Sequence, residues 1–243
     1  MKQRIIAFAA LLIIITVVFS IGCTGQPKPE ECKSEPFEGK YNPTLIYYKY
    51  QDSPCDIINI KYSINGEEFH GSFRTDYIPS LNWIKQNTPP DTIFLSWWDY
   101  GHMIRGYAER DVIVYSMAKE LMDANAIKEY EEWKYGFSSL DRLVDVAHAF
   151  VTTDNQETNN IMQKYNATYI FFSREDYFVP GKGWAMFKVL NINQSDYVTT
   201  YATGEQQLTT LGTQTMLHRL LNNINNSYEL VYQDEVIKIY KKS

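Results

Sequence analysis

Thr92-Ile93-Phe94-Leu95 reads as a short buried strand, and the six residues after it constrain the fold most: Ser96-Trp97-Trp98-Asp99-Tyr100-Gly101. Side chains alternate faces along a strand, so two adjacent tryptophans at its end cannot both enter one core. One indole is expected inside and the other at a surface. An indole N–H only donates and a carboxylate only accepts. Side by side they suit a group that does both, and a Ser or Thr hydroxyl is such a group. The run is therefore a candidate hydroxyl reader. Plain core packing, the usual use of an aromatic cluster, is the competing reading.

The flanking sequence alternates between strand and helix patterns. A helix is expected over 76–87, capped by Asp76, with Ile78, Leu81 and Ile84 on one face and Pro89-Pro90 beyond its end. A short helix over 101–108 and a strand over 111–115 follow the aromatic run. Met117, Leu121, Ala124, Ile127 and Tyr130 recur at helical spacing. Ser138-x-x-Asp141 and Asp154-x-x-Glu157 are capping signals for two more helices. Residues 169–172, Tyr-Ile-Phe-Phe, form another buried strand. A helix over 215–223 and an antiparallel hairpin of 228–232 with 236–240 end the chain. Ahead of all this, Asn65-Gly66 between two β-rich runs marks a tight hairpin turn. The expected class is α/β: a parallel-strand core with flanking helices, an N-terminal β-hairpin add-on and a C-terminal antiparallel hairpin. In such sheets ligands bind beyond the carboxyl ends of the strands, where the aromatic run sits.

Hydrophobic residues make up 44% of the 243, enough for a packed core. The net charge is −6 with no dense basic block, which argues against nucleic acid as a partner. Lys2 and Arg4 precede an uncharged stretch over 5–21. As a helix that stretch spans ~26 Å, close to a ~30 Å hydrocarbon core. Residues 1–22 are therefore a signal peptide or an uncleaved membrane anchor, with the body on the extracytoplasmic side of the cell membrane. Gly22-Cys23 makes Cys23 a candidate lipidation site of a lipoprotein, and the two readings stand side by side. Cys32 and Cys55 then remain as a candidate disulfide or as two free thiols. The proline-bearing stretch 23–38 is expected as a linker, 39–75 as a small β-rich segment and 76–243 as the main α/β domain. Four scattered histidines offer no metal-site spacing. Glu109-x-Asp111 looks superficially like a metal pair, and solvation at a strand edge is the stronger reading.

Asn87-Thr88-Pro89-Pro90-Asp91, followed by Trp97-Trp98-Asp99-Tyr100-Gly101, resembles the signature of the oligosaccharyltransferase catalytic subunit family, archaeal type. The resemblance runs from about residue 76 to the C-terminus. Tyr228-Glu229-Leu230-Val231-Tyr232 and Val236-Ile237-Lys238-Ile239-Tyr240 support it. It implies a water-facing domain that binds the Ser/Thr hydroxyl of Asn-x-Ser/Thr acceptors in protein N-glycosylation. Trp97, Trp98 and Asp99 would do the reading, and Tyr100 and Gly101 would shape the turn. A second family element, a lysine with Met or Ile four residues on, is matched by Lys182 and Met186. Ser173 stands where that element's Asp is expected, with Asp176 nearby. The family's chemistry lies in a many-helix membrane region whose carboxylates hold a divalent cation, and here a single hydrophobic segment precedes the domain. No catalytic residue, metal ligand or cofactor is therefore expected in this chain. Mg or Mn is expected only with a separate multi-span membrane subunit. Three readings follow: a tethered reader of acceptor peptides, one half of a split transferase, or a binding lipoprotein unrelated to glycosylation.

Overall fold

The computed structural model describes residues 30–49, 54–176, 183–224 and 227–242. The apolar N-terminal stretch, Cys23 and Lys182 lie outside the described residues. The first sheet is antiparallel in chain order: β1 (Glu30–Pro36), β2 (Thr44–Lys49), β3 (Ile57–Ile64) and β4 (Glu67–Arg74). Asn65 and Gly66 take φ of 53° and 82°, the left-handed pair that a two-residue hairpin turn needs. Along β3, Ile58, Ile60 and Tyr62 are buried while Lys61 and Ser63 are exposed, so the sheet covers a core on one face only.

The expected linker over 23–38 gives way to a strand at residue 30. β1 pairs with β2 from Glu30↔Lys49 to Pro36↔Thr44, and Cys32 is disulfide-bonded to Cys55 at a Cα–Cα distance of 6.4 Å. Its residues are exposed apart from half-buried Glu35, so no apolar alternation marks it in the sequence. Pairing with β2 and the cross-link define it.

The rest of the chain runs α1 (Ile78–Asn87), β5 (Ile93–Leu95), α2 (Gly101–Gly106), β6 (Asp111–Val112), α3 (Ala124–Glu132), α4 (Leu140–Val151) and α5 (Asn155–Lys164). It continues through β7 (Ala167–Ser173), α6 (Trp184–Leu190), β8 (Val198–Thr200), β9 (Gln206–Leu208), α7 (Thr210–Gln214), α8 (Met216–Leu221), β10 (Tyr228–Gln233) and β11 (Ile237–Lys242). The main sheet has the order β10-β11-β7-β5-β6. β5 is parallel to both β7 and β6, and the β10–β11 hairpin adds antiparallel to β7. The fold is thus the expected mixed α/β sheet. β7 is buried at every residue but Thr168, as a central strand covered on both faces should be.

Local chemistry sets several helix starts. The Asp154 carboxylate accepts the Gln156 N–H at α5, and Asp123 accepts the N–H groups of Asn125 and Ala126 at α3. Elsewhere tertiary contacts override the local signal. Asp76 lies in a 3₁₀ turn and pairs with Arg74 at 2.8 Å instead of capping α1. The Ser138 hydroxyl accepts from the Tyr115 and Ser116 N–H groups at 3.0 and 3.1 Å, and Ser139 takes the cap position of α4. Met117 and Leu121 precede α3 rather than belonging to it. Buried Arg110 donates to the Lys85 and Thr88 carbonyls at 2.8 and 2.6 Å, closing the end of α1 just before β5.

The expected N-terminal β add-on is a four-stranded sheet that packs on the main domain. A Cβ on Gly71 would lie 2.2 Å from the His102 Cβ, and one on Gly106 would lie 2.7 Å from the Tyr62 ring. β3 and β4 therefore press directly on α2, and both sheets share one hydrophobic core. Among the described residues no helix is long and apolar enough to cross a membrane.

Candidate functional site

The carboxyl ends of β5 and β7 lie side by side, with Leu95 paired to Ile170. Ser96 and Trp97 leave β5 still extended, Trp98–Tyr100 make one 3₁₀ turn, and Gly101 opens α2. The two tryptophans part company here. Trp97 is 1% exposed and belongs to the core, whereas Trp98 and Asp99 are half-buried. The Trp98 Nε1 and the Ser96 Oγ are both buried with no hydrogen-bond partner. An orphaned buried donor is costly, roughly 1–3 kcal/mol, and a group of that kind calls for an explanation.

Tyr100 points the other way. Its Oη donates to Asp176 Oδ1 at 2.9 Å, and Asp176 Oδ2 accepts the Ser173 N–H at 3.1 Å. Both side chains are buried. Burial, and then the Asp176 charge, push the phenol well above its ordinary pKa, so it remains a donor. The ring packs against Phe171 and Tyr77 at centroid distances of 5.3 and 5.9 Å. Gly101 admits no side chain: a Cβ there would meet the Tyr115 Cα at 2.1 Å and the Val114 carbonyl oxygen at 2.7 Å.

Two further elements frame the turn. His102 Nδ1 is hydrogen-bonded to the Tyr62 hydroxyl of β3 at 2.9 Å. Burial, reinforced by the Arg105 charge, lowers the His102 pKa to about 3, so the imidazole is neutral. From α3, Tyr130 has its phenol pKa raised by burial and next by the Asp99 charge.

The second candidate element is divided. Lys182 is outside the described residues, and Met186 is fully buried in α6, which packs on α4. Ser173 supplies a backbone N–H rather than a carboxylate, and Asp176 is the acid that reaches the motif. Glu109 and Asp111 are already engaged. Glu109 accepts the Lys40 N–H at 2.6 Å and pairs with Lys85 at 3.2 Å, while Asp111 pairs with Arg105 at 3.4 Å. Among the described residues no group of three or more His, Cys, Asp or Glu side chains is placed to hold a metal. Sequence reasoning assigned no role to Tyr130 or to the Tyr62–His102 bond. Asp176 was marked in the sequence only as an acid near the position held by Ser173, and not as the partner of Tyr100.

No family model matches the chain. It is 46% identical over 39 residues to the dolichyl-diphosphooligosaccharide–protein glycosyltransferase subunit stt3 of Schizosaccharomyces pombe, a stretch covering 16% of this chain and 5% of that protein. It is 32% identical over 71 residues to the corresponding subunit of Dictyostelium discoideum, covering 29% and 9%. The chain thus matches only a small part of these relatives' length. Among solved structures it is similar to the C-terminal globular domain of an oligosaccharyltransferase from Archaeoglobus fulgidus. That match has a TM-score of 0.51 and 18% identity, and covers 70% of this chain and 99% of that one. In fold, and over short stretches of sequence, the chain resembles the C-terminal globular domain of the oligosaccharyltransferase catalytic subunit family.

Proposed function

We propose that this domain binds acceptor peptides in protein N-glycosylation by reading the hydroxyl of Asn-x-Ser/Thr. One observation carries the reading: the buried, unpartnered Trp98 Nε1, in the same 3₁₀ turn as Asp99 and just past the carboxyl end of β5. A peptide hydroxyl accepts from the indole and donates to the carboxylate, which serves both groups at once. An alanine in its place serves neither. The fold likeness to the C-terminal globular domain of an oligosaccharyltransferase supports a place in N-glycosylation.

Trp97 sits inside the core, so in this proposal it sets the pocket floor while Trp98 and Asp99 make the polar contacts. Glycan transfer, with its Mg or Mn, is assigned to a separate multi-span membrane subunit, because Asp176, Glu109 and Asp111 are committed to protein partners. The N-terminal apolar stretch would hold the domain to the extracytoplasmic face of the membrane.

Paired peptides ending the triplet in Thr or Ala test the reading by NMR titration. A hydrogen bond to a charged group contributes ~1.5–3 kcal/mol, so the Thr peptide should bind at least about tenfold more tightly. Shifts should centre on the Trp98 indole N–H. Equal affinity of the two peptides would sink the proposal. Crosslinking in mild detergent should capture a many-span partner if transfer uses a second chain.

A further inference from the structure

The chain itself contains three Asn-x-Ser/Thr triplets: Asn166-Ala167-Thr168, Asn193-Gln194-Ser195 and Asn225-Asn226-Ser227. Asn225 and Asn226 lie outside the described residues. The fold treats the other two very differently, and from that contrast we infer that Asn193 is a glycan acceptor and Asn166 is not. This inference is independent of the peptide-reading proposal, because here the chain is the substrate.

Asn166 is exposed, but its triplet is anchored. Its backbone holds φ at 54° and its N–H donates to the Gln163 carbonyl at 3.2 Å. Ala167 is 3% exposed and pairs with Ile93, and Thr168 lies inside β7 between β5 and β11. Tyr169, next along, pairs with both Phe94 and Lys241. A transferase must take the triplet into its own groove as a peptide. For Asn166 that means withdrawing the start of the central strand from the core.

Asn193 asks for no such opening. It follows α6, whose end is marked by Asn191 in the left-handed region at φ 54°. The triplet then forms a single 3₁₀ turn, Gln194–Asp196, and sheet pairing resumes only at Val198. Asn193, Ser195 and Asp196 are exposed. The Asn193 Oδ1 accepts the Ser195 N–H at 3.2 Å, and among the described residues Nδ2, the atom to be glycosylated, has no hydrogen-bond partner. β8 pairs with β9 in a separate two-stranded sheet, and although Val198 and Tyr197 pack on the core, drawing out residues 193–195 breaks no pairing of the main sheet. The Cys32–Cys55 disulfide adds a second, independent observation, since such bonds belong to oxidising compartments where sequons meet the glycosylation machinery.

The co-reactant is a glycan joined through its anomeric carbon to a lipid phosphate or pyrophosphate, brought by an oligosaccharyltransferase. A C–N bond forms between that carbon and Asn193 Nδ2. The anomeric C–O bond breaks and the lipid phosphate leaves with the electron pair. The amide nitrogen releases one proton to a base of the transferase.

The test uses the full chain carrying Asn225→Gln, incubated with transferase-bearing membranes and a lipid-linked glycan, beside a control sequon peptide that reports active enzyme. Glycopeptide mapping should find Asn193 occupied at least about tenfold more than Asn166 on the folded chain, given the cost of opening a central strand. On the reduced, unfolded chain the two sites should approach equal occupancy, and Asn193→Gln should remove the mass shift of the folded protein. Equal occupancy on the folded chain would overturn the inference. So would an Asn193 left bare in both states while the control peptide is modified.

Discussion

Tyr100 donates its phenolic hydrogen to Asp176 at 2.9 Å, and this bond fastens the turn after β5 to the turn after β7. The carboxylate's other oxygen holds the Ser173 N–H, so one buried acid serves two strand ends. Tyr100→Phe should lower stability by ~2 kcal/mol by leaving a buried acceptor short of a donor. Asp176→Ala should cost more, ~3 kcal/mol, because it removes the acceptor of two hydrogen bonds at once. Urea unfolding of the single and double variants measures both effects. The double variant should lose clearly less than the sum, and strict additivity would show that the two groups act independently.

Gly101→Ala is expected to be among the most damaging single-methyl changes in the chain. The added carbon meets backbone atoms of Val114 and Tyr115, which cannot swing aside as a side-chain tip would. A loss of about 3 kcal/mol in unfolding free energy is the expected outcome, at the upper end for overpacking. A near-neutral result would mean that β6 and its continuation can shift away from α2.

His102 gives the fold an acid-range dependence of known sign. Its folded pKa of about 3 lies below the ordinary 6.5, so the unfolded chain is the better proton binder. The stabilisation tied to the neutral imidazole is therefore full above pH ~6.5 and falls as pH drops towards 3, by up to ~1.4 kcal/mol per unit. Denaturation midpoints of the native chain and of His102→Gln, compared at pH 7, 6, 5 and 4, isolate the effect. The native chain should lose ~2 kcal/mol more than the variant between pH 6 and 4. Parallel profiles would place the imidazole in a wetter setting.

Replacing both Cys32 and Cys55 by serine removes a cross-link spanning 23 residues in sequence. Loop-closure entropy sets the expected loss at ~3 kcal/mol. The effect should be local, since β1 pairs only with β2 and is almost wholly exposed. Hydrogen exchange should quicken through 30–36 and stay unchanged in β7. Uniform acceleration across both sheets would mean that the bond supports the whole core.

What the sequence made legible was the chemistry settled within a few residues. Asn65-Gly66 dictates its turn, Asp154 caps its helix and the apolar run of β7 declares a central strand. Strand alternation says that only one of Trp97 and Trp98 can enter the core, but which one does was not legible, because both lie beyond the end of β5. What stayed hidden depends on partners far along the chain. β1 carries no apolar pattern and exists through β2 and Cys55. Ser138 reads as a cap, yet its hydroxyl is taken by backbone 22 and 23 residues away. Asp176 matters because Tyr100 reaches it across 76 residues, a relation no local window displays. The small β8–β9 sheet and α7, built from Thr- and Gln-rich stretches, gave no period to read.

The helix that begins at Gly101 is gripped from two sides, by the first sheet through Tyr62 and Gly71 and by the segment after β6 through the backbone of Val114 and Tyr115. The turn bearing Trp98 and Asp99 therefore has little freedom left to lose when a partner arrives. Preorganisation of this kind puts the ordering cost of association on the incoming peptide alone. Differences among ligands should then follow their own stiffness and contacts, with the domain behaving as a fixed template.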